Sequence, residues 1–207
     1  MSKHKLTYFN AAGRAEPVRI ACFLSDVSFE DHRVDFAGFG ALKGSGALPL
    51  GQVPVLEVDG FSFAQTSAML RYVAKLGNAG LYPSDPVKAL AVDSALDTFN
   101  DTLSHALSPS FWEKDMDKKL AMRAELVVGP MAKCFSYVEG LIAKFGGPFV
   151  SGDQLSIADL VIATQVLQIR SGGLDGVTAE HVAAYPHICA LTDAYLADPR
   201  IAAYTSK

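Results

Sequence analysis

The chain has 207 residues, half of them hydrophobic and 19% charged, which is enough for one or two packed domains. Its formal net charge is −4 with Lys and Arg scattered, which argues against a nucleic-acid partner, whose binder would carry a basic stripe. Three cysteines (Cys22, Cys134, Cys189) lie far apart with no Cys-x-x-Cys, which speaks against a disulfide framework or a dithiol redox centre. Each sits among apolar residues and reads as core packing. His4, His32, His105, His181 and His187 show no metal-ligand spacing, so no metal is expected. The basic start at Met1-Ser2-Lys3 lacks a signal-peptide core, and Ser2 breaks the myristoylation pattern. The best apolar run, Leu160 to Ile169, contains Thr164, Gln165 and Gln168 and is far short of the ~18 residues of a membrane span. The expectation is a cytoplasmic protein with no membrane partner.

In chain order, Leu6 to Phe9 reads as a strand, and Glu16 to Leu24 as a helix with Pro17 in its first turn. His32 to Asp35 alternates polar and apolar residues and reads as a second strand. A long loop follows. It includes Gly38-Phe39-Gly40-Ala41-Leu42-Lys43, which begins like a dinucleotide fingerprint but has Lys43 in place of the third glycine; it reads as a mobile loop. Val55 to Val58, Asp59-Gly60 and Phe61 to Phe63 form a hairpin with a type I′ turn signal. Gln65 to Leu76 reads as a helix. Residues 80–86 are rich in turn formers and divide a domain at 1–79 from one at 87–207. The second domain is almost wholly of helical period: Val87 to Leu107, Lys118 to Phe145 with a bend or break at Gly129-Pro130, Ile157 to Arg170, a short helix, and Pro186 to Leu196. Ser156-x-x-Asp159 is a capping box that starts a helix and does no chemistry.

Tyr8 stands at the end of the first strand, before Asn10-Ala11-Ala12-Gly13-Arg14, where open α/β sheets gather ligands. By position alone it is a packed strand tyrosine with a wet tip. Gly51-Gln52-Val53-Pro54 opens the hairpin strand; a cis Val53-Pro54 bond there would leave the Val53 backbone open to an added peptide strand. Gln65-Thr66-Ser67 sits at a helix start, suited either to capping or to a carboxylate. Lys43 and Gln52 are within reach of a second carboxylate. Together these residues describe a cleft for a small, extended, anionic peptide, and glutathione fits: two carboxylates and one thiol.

Lys5 to Asn10 with Gly13-Arg14-Ala15-Glu16, Glu30 to Arg33, Leu56 to Gly60 and Leu155 to Leu160 resemble the sigma class of the glutathione transferase superfamily across essentially the whole chain. The resemblance implies an α+β, thioredoxin-like N-terminal domain, an all-α helical C-terminal domain and a homodimer. It implies that Tyr8 donates a hydrogen bond to the glutathione sulfur with Arg14 in support. Phe39, Lys43, Gln52, Val53, Pro54, Gln65 and Thr66 would hold the peptide, and Asp97 would reach the partner subunit's glutathione amine or stand as a solvated carboxylate. Phe39 replaces a usual tryptophan, Gln52 a common lysine and Thr66 a usual serine, so weaker glutathione binding is expected. Trp112 and Phe111 fit two readings: core aromatics, or the wall of a hydrophobic substrate pocket with Phe9 and Tyr204. The implied activity is conjugation of the glutathione thiolate to small hydrophobic electrophiles, a detoxification reaction. A glutathione-dependent isomerase or peroxidase and a non-catalytic, crystallin-like binding protein are the alternatives.

Overall fold

A computed structural model describes residues 3–206; the readings made at Met1, Ser2 and Lys207 lie outside the described residues. The chain divides into two compact units between Ala79 and Gly80. The first unit opens with β1 (His4–Phe9), α1 (Glu16–Leu24), β2 (Glu30–Val34) and α2 (Phe36–Gly44). It closes with β3 (Val55–Val58), β4 (Phe61–Phe63) and α3 (Thr66–Leu76). The strands make a four-stranded sheet in the order β2-β1-β3-β4. β1 runs parallel to β2 and antiparallel to β3, which is antiparallel to β4. The core is mainly apolar: Leu6, Val18, Leu56, Leu70 and Val73 are fully or almost fully buried. Asp59 and Gly60 both take positive φ, 49° and 87°, as a type I′ hairpin turn requires.

Two readings of this unit change. Gly38 to Lys43 lies inside α2 and is not a loop. Asp35, read as the end of a strand, is the helix N-cap: its carboxylate accepts from Gly38 N–H at 2.7 Å. Gly38 and Gly40 lower helix propensity by about 1 kcal/mol each, which hid the helix from the pattern.

The second unit is helical. α4 (Pro86–Thr98) runs through a π-helical segment, Phe99–Ser104, into α5 (His105–Leu107) and a 3₁₀ turn, Ser108–Phe111. α6 (Met116–Leu126) continues through a second π-helical segment, Val127–Met131, into α7 (Ala132–Phe145). The expected bend or break at Gly129-Pro130 is absorbed as that π segment, because Pro130 has no N–H to give the α-helical ladder. α8 (Ile157–Arg170), α9 (Ala179–Ala183), α10 (Pro186–Ala197) and α11 (Pro199–Thr205) complete the unit. α11 has no counterpart in the sequence reading; Asp198 caps it through Arg200 N–H and Pro199 occupies its first turn. The turn-rich stretch after residue 79 is partly core: Leu81 is fully buried and its carbonyl accepts from Ile157 N–H at 2.9 Å.

By length and composition the helix from Met116 to Phe145 is long and apolar enough to cross a membrane. Here Met131, Cys134, Phe135, Val138 and Ile142 are buried, and α7 packs against α4 and α10. Cys22 and Cys134 are core residues as expected, whereas Cys189 is half-buried, its thiol 3.5 Å from the Val182 carbonyl.

Candidate active site

Strand direction brings the candidate residues of the first unit to one end of the sheet. β1, β2 and β4 all run one way and β3 runs the other. The C-terminal ends of β1, β2 and β4 therefore lie beside the start of β3. Tyr8 comes from β1, Phe39 and Lys43 from the helix after β2, Val53-Pro54 from the approach to β3, and Gln65-Thr66 from the segment after β4. Thr7 pairs with Val55, so continuing that register sets Pro54 opposite Tyr8.

Tyr8 is half-buried at the edge of this end. Its phenol oxygen accepts a hydrogen bond from Arg14 N–H at 3.2 Å. The turn that delivers this N–H passes so close that a Cβ on Gly13 would lie 2.5 Å from the Tyr8 oxygen, and Gly13 has φ +46°. The phenol O–H can in addition donate to a second partner. Arg14 contributes its backbone here, and as a residue it is exposed.

Arg19 is a residue the sequence reading missed. It is 3% exposed, on the buried face of α1. Its Nη1 donates to the carbonyls of Ala11 at 2.9 Å and Ala12 at 3.3 Å and to Glu16 Oε2 at 3.0 Å, while Nε donates to Asp31 Oδ1 at 3.1 Å. Its Cζ lies 6.0 Å from the centroid of the Tyr8 ring. The available signal was an arginine on an otherwise apolar helix face, five residues beyond an arginine already chosen.

The Val53-Pro54 peptide bond is cis. Among the described residues neither the N–H nor the C=O of Val53 has a hydrogen-bond partner, so both remain available to an extended chain. Lys43 lies across Gly51: a Cβ on that glycine would stand 3.4 Å from Lys43 Cε, and the next residue, Gln52, is exposed. Gln65 has φ 75° and ψ 108° at the N-cap of α3, a strained conformation for a residue with a side chain. Thr66 behind it is buried.

Phe9 and Phe39 pack together, with ring centroids 5.2 Å apart, and Phe36 joins Phe9 at 5.3 Å. Phe36 is 72% exposed and was not anticipated. A hollow of about 550 Å³ lies beside this cluster, lined by Asn10, Arg33, Val34, Asp35 and Gly38. Arg33 is tied to its wall through Asn10 Oδ1 at 3.1 Å and Asp31 Oδ2 at 2.8 Å.

In the helical unit Asp97 is exposed on α4, Tyr204 is half-buried on α11, and Trp112 is exposed. Phe111 is also exposed, so neither aromatic is a core residue of that unit. The turn that carries them is pinned by buried Arg123, whose Nε donates to Ser110 Oγ at 3.1 Å and whose Nη1 reaches Asp175 Oδ2 at 3.2 Å. Among the described residues no cluster of three or more His, Cys, Asp or Glu forms a metal site. Burial pushes the thiols of Cys22 and Cys134 up to about 12, so neither is a nucleophile at neutral pH.

Residues 4–75 match the family model described as "Glutathione S-transferase, N-terminal domain" and residues 100–207 the one described as "Glutathione S-transferase, C-terminal domain". The chain is 33% identical over 177 residues to Glutathione S-transferase 4 of Caenorhabditis elegans, an alignment covering 84% of this chain and 83% of that one. It is 31% identical over 211 residues to the hematopoietic prostaglandin D synthase of Mus musculus, covering 100% of this chain and 97% of the relative. Among solved structures it is similar to a glutathione S-transferase described as monomeric, from the hookworm Necator americanus. That similarity has a TM-score of 0.78 and 27% identity, covering 99% of this chain and 96% of that one.

Proposed function

The chain belongs to the glutathione S-transferase family, and from that premise we propose that Tyr8 activates the thiol of bound glutathione for attack on a small hydrophobic electrophile. The observation that supports the proposal is the hydrogen bond from Arg14 N–H to the Tyr8 oxygen, which holds the phenol at the end of β1 where a bound thiol could accept from it. A free thiol has a pKa of about 8.5, and the thiolate is the nucleophile. Lowering that value by ~2 units takes ~2.7 kcal/mol of selective stabilisation. One hydrogen bond to a charged acceptor contributes ~1.5–3 kcal/mol, so a single phenol donor is of the right size.

In this reading Val53 pairs its free backbone groups with the peptide, and Pro54 shapes the approach. Lys43 and Gln52 take one carboxylate, and Gln65 with Thr66 takes the other at the start of α3. Arg14 and Phe39 complete the near wall. Phe9, Trp112 and Tyr204 serve the electrophile, and Asp97 serves the amine of glutathione on a partner subunit. The protein works as a cytoplasmic homodimer in detoxification. The exposed aromatic rings of Phe9's neighbour Phe36 and of Trp112 support an apolar second substrate.

Replacing Tyr8 with Phe removes the donor and, with it, the acceptor of the Arg14 N–H. We expect Tyr8→Phe to raise the pKa of the bound thiol, seen as a shift of the thiolate's ultraviolet absorbance to higher pH. We also expect kcat/KM towards an aryl halide to fall about 10- to 100-fold, the worth of one charge-assisted hydrogen bond, with glutathione affinity almost unchanged. Full activity in this variant would remove Tyr8 from the mechanism. The likeness to a prostaglandin D synthase along the whole chain favours one second reading, isomerisation of a lipid endoperoxide by the same thiolate. Assaying the endoperoxide beside the aryl halide separates the two by their kcat/KM ratio.

A further inference from the structure

We propose that Arg19 is the positioning residue for Tyr8: it fixes the turn whose N–H holds the phenol oxygen. This rests on the role proposed above for Tyr8. The phenol oxygen accepts from a backbone N–H in the turn 11–14, so the place of that turn sets where the phenol stands. A turn of this kind has few side-chain anchors of its own: Ala11, Ala12 and Gly13 carry no polar side chain. Arg19 supplies the anchor from below. One arm of its guanidinium gathers the carbonyls of Ala11 and Ala12, and a planar fork is the side chain suited to two acceptors in fixed directions.

The charge is kept in place by Glu16 and Asp31, with Asp31 shared by Arg33. Burying a guanidinium at 3% exposure is costly, and removing its partners would be more so. Yet Nη2 is buried with no hydrogen-bond partner among the described residues. A buried donor left unsatisfied calls for a reason. The guanidinium stands over the Tyr8 ring, its Cζ 6.0 Å from the centroid, which gives the group a cation–π contact beside its hydrogen bonds. Arg19 therefore holds both halves of the pair, the ring of Tyr8 and the turn that donates to its oxygen. It touches neither thiol nor electrophile.

Four proteins decide the matter: wild type, Arg19→Lys, Tyr8→Phe and the double variant. Lysine keeps the charge but has one nitrogen where arginine uses two, Nη1 for the Ala11 and Ala12 carbonyls and Nε for Asp31. Expected for Arg19→Lys are a thiol pKa raised towards that of Tyr8→Phe and a fall in kcat/KM of about 10- to 100-fold. In the Tyr8→Phe background the same change should cost no more than about twofold, the scatter of additive sites. Equal losses in both backgrounds would overturn the proposal, as would a loss of activity with the thiol pKa unmoved. Failure of the Tyr8 reading itself shows separately, as full activity in Tyr8→Phe alone. If Arg19→Lys does not fold, Glu16→Gln loosens the guanidinium while leaving it present. There we expect about a threefold loss that vanishes in the Tyr8→Phe background, and a loss that persists there refutes the role.

Discussion

Gln65 sits at φ 75° and ψ 108°, a backbone region that glycine adopts far more readily than a residue with a side chain. Holding a side chain there costs about 1–3 kcal/mol, and such strain gathers where a side chain or its amide must point at a ligand. Gln65→Gly should therefore leave the melting temperature unchanged or raise it. The same change should weaken glutathione binding at least about tenfold, if the side chain makes one hydrogen bond to a carboxylate. Calorimetric titration with glutathione measures the second effect, and an unchanged affinity would reduce Gln65 to a strained cap. Legibility at this scale is uneven. Tyr8 and Val53-Pro54 could be picked out because a strand end and an X-Pro bond are local facts. Arg19 could not, since its importance comes from carbonyls seven and eight residues back and a carboxylate on another strand. Gly13 announced a turn but not that the turn would press on Tyr8.

Helix α8 shows how a short motif can govern an element. Asp159 is fully buried and accepts from Ser156 N–H at 2.7 Å, Ser156 Oγ at 2.6 Å and Val150 N–H at 2.9 Å. Burial raises its pKa from 3.8 to about 6 against the pull of those hydrogen bonds. A carboxyl whose pKa is raised on folding binds its proton more tightly when folded. Its contribution to stability is thus complete below pH 3.8 and declines as pH rises through about 6. Asp159→Asn has no such proton and keeps only one acceptor oxygen, leaving a backbone N–H of the box unpaired. It should be destabilised by about 2–4 kcal/mol, as breaking a buried network usually costs. Chemical denaturation should find the gap from wild type narrowing between pH 4 and pH 6; a gap that widens would mean the hydrogen bonds outweigh burial. The box itself was legible from Ser156 and Asp159 because it spans one helical turn. α2 was not, since two glycines disguised it, and neither were the π segments, since nothing in a 3.6-residue period marks an extra residue in a turn.

At the scale of the molecule the proposed homodimer needs a surface that a second copy can cover. β4 is one of the two outer strands of the sheet, and Phe61 and Phe63 share one of its faces at 73% and 53% exposure. An outer strand carrying exposed aromatic rings invites pairing, and monomeric proteins blunt such edges with charge. Burying a phenylalanine gains about 1.5–3 kcal/mol, so two from each copy give about 6–12 kcal/mol before association costs of about 4–15 kcal/mol. The balance is close, so the dimer should depend on concentration. Sedimentation should report twice the 22.1 kDa chain mass at high concentration, and Phe61→Lys should shift it towards 22.1 kDa without lowering the melting temperature. A wild type that stays at 22.1 kDa throughout would be a monomer, as the hookworm relative is described to be. The role proposed for Asp97 depends on the same equilibrium. If its carboxylate serves glutathione on a partner subunit, Asp97→Asn should raise KM for glutathione in the dimer and do nothing in the Phe61→Lys monomer. A KM that rises equally in both would mean that Asp97 acts within its own chain.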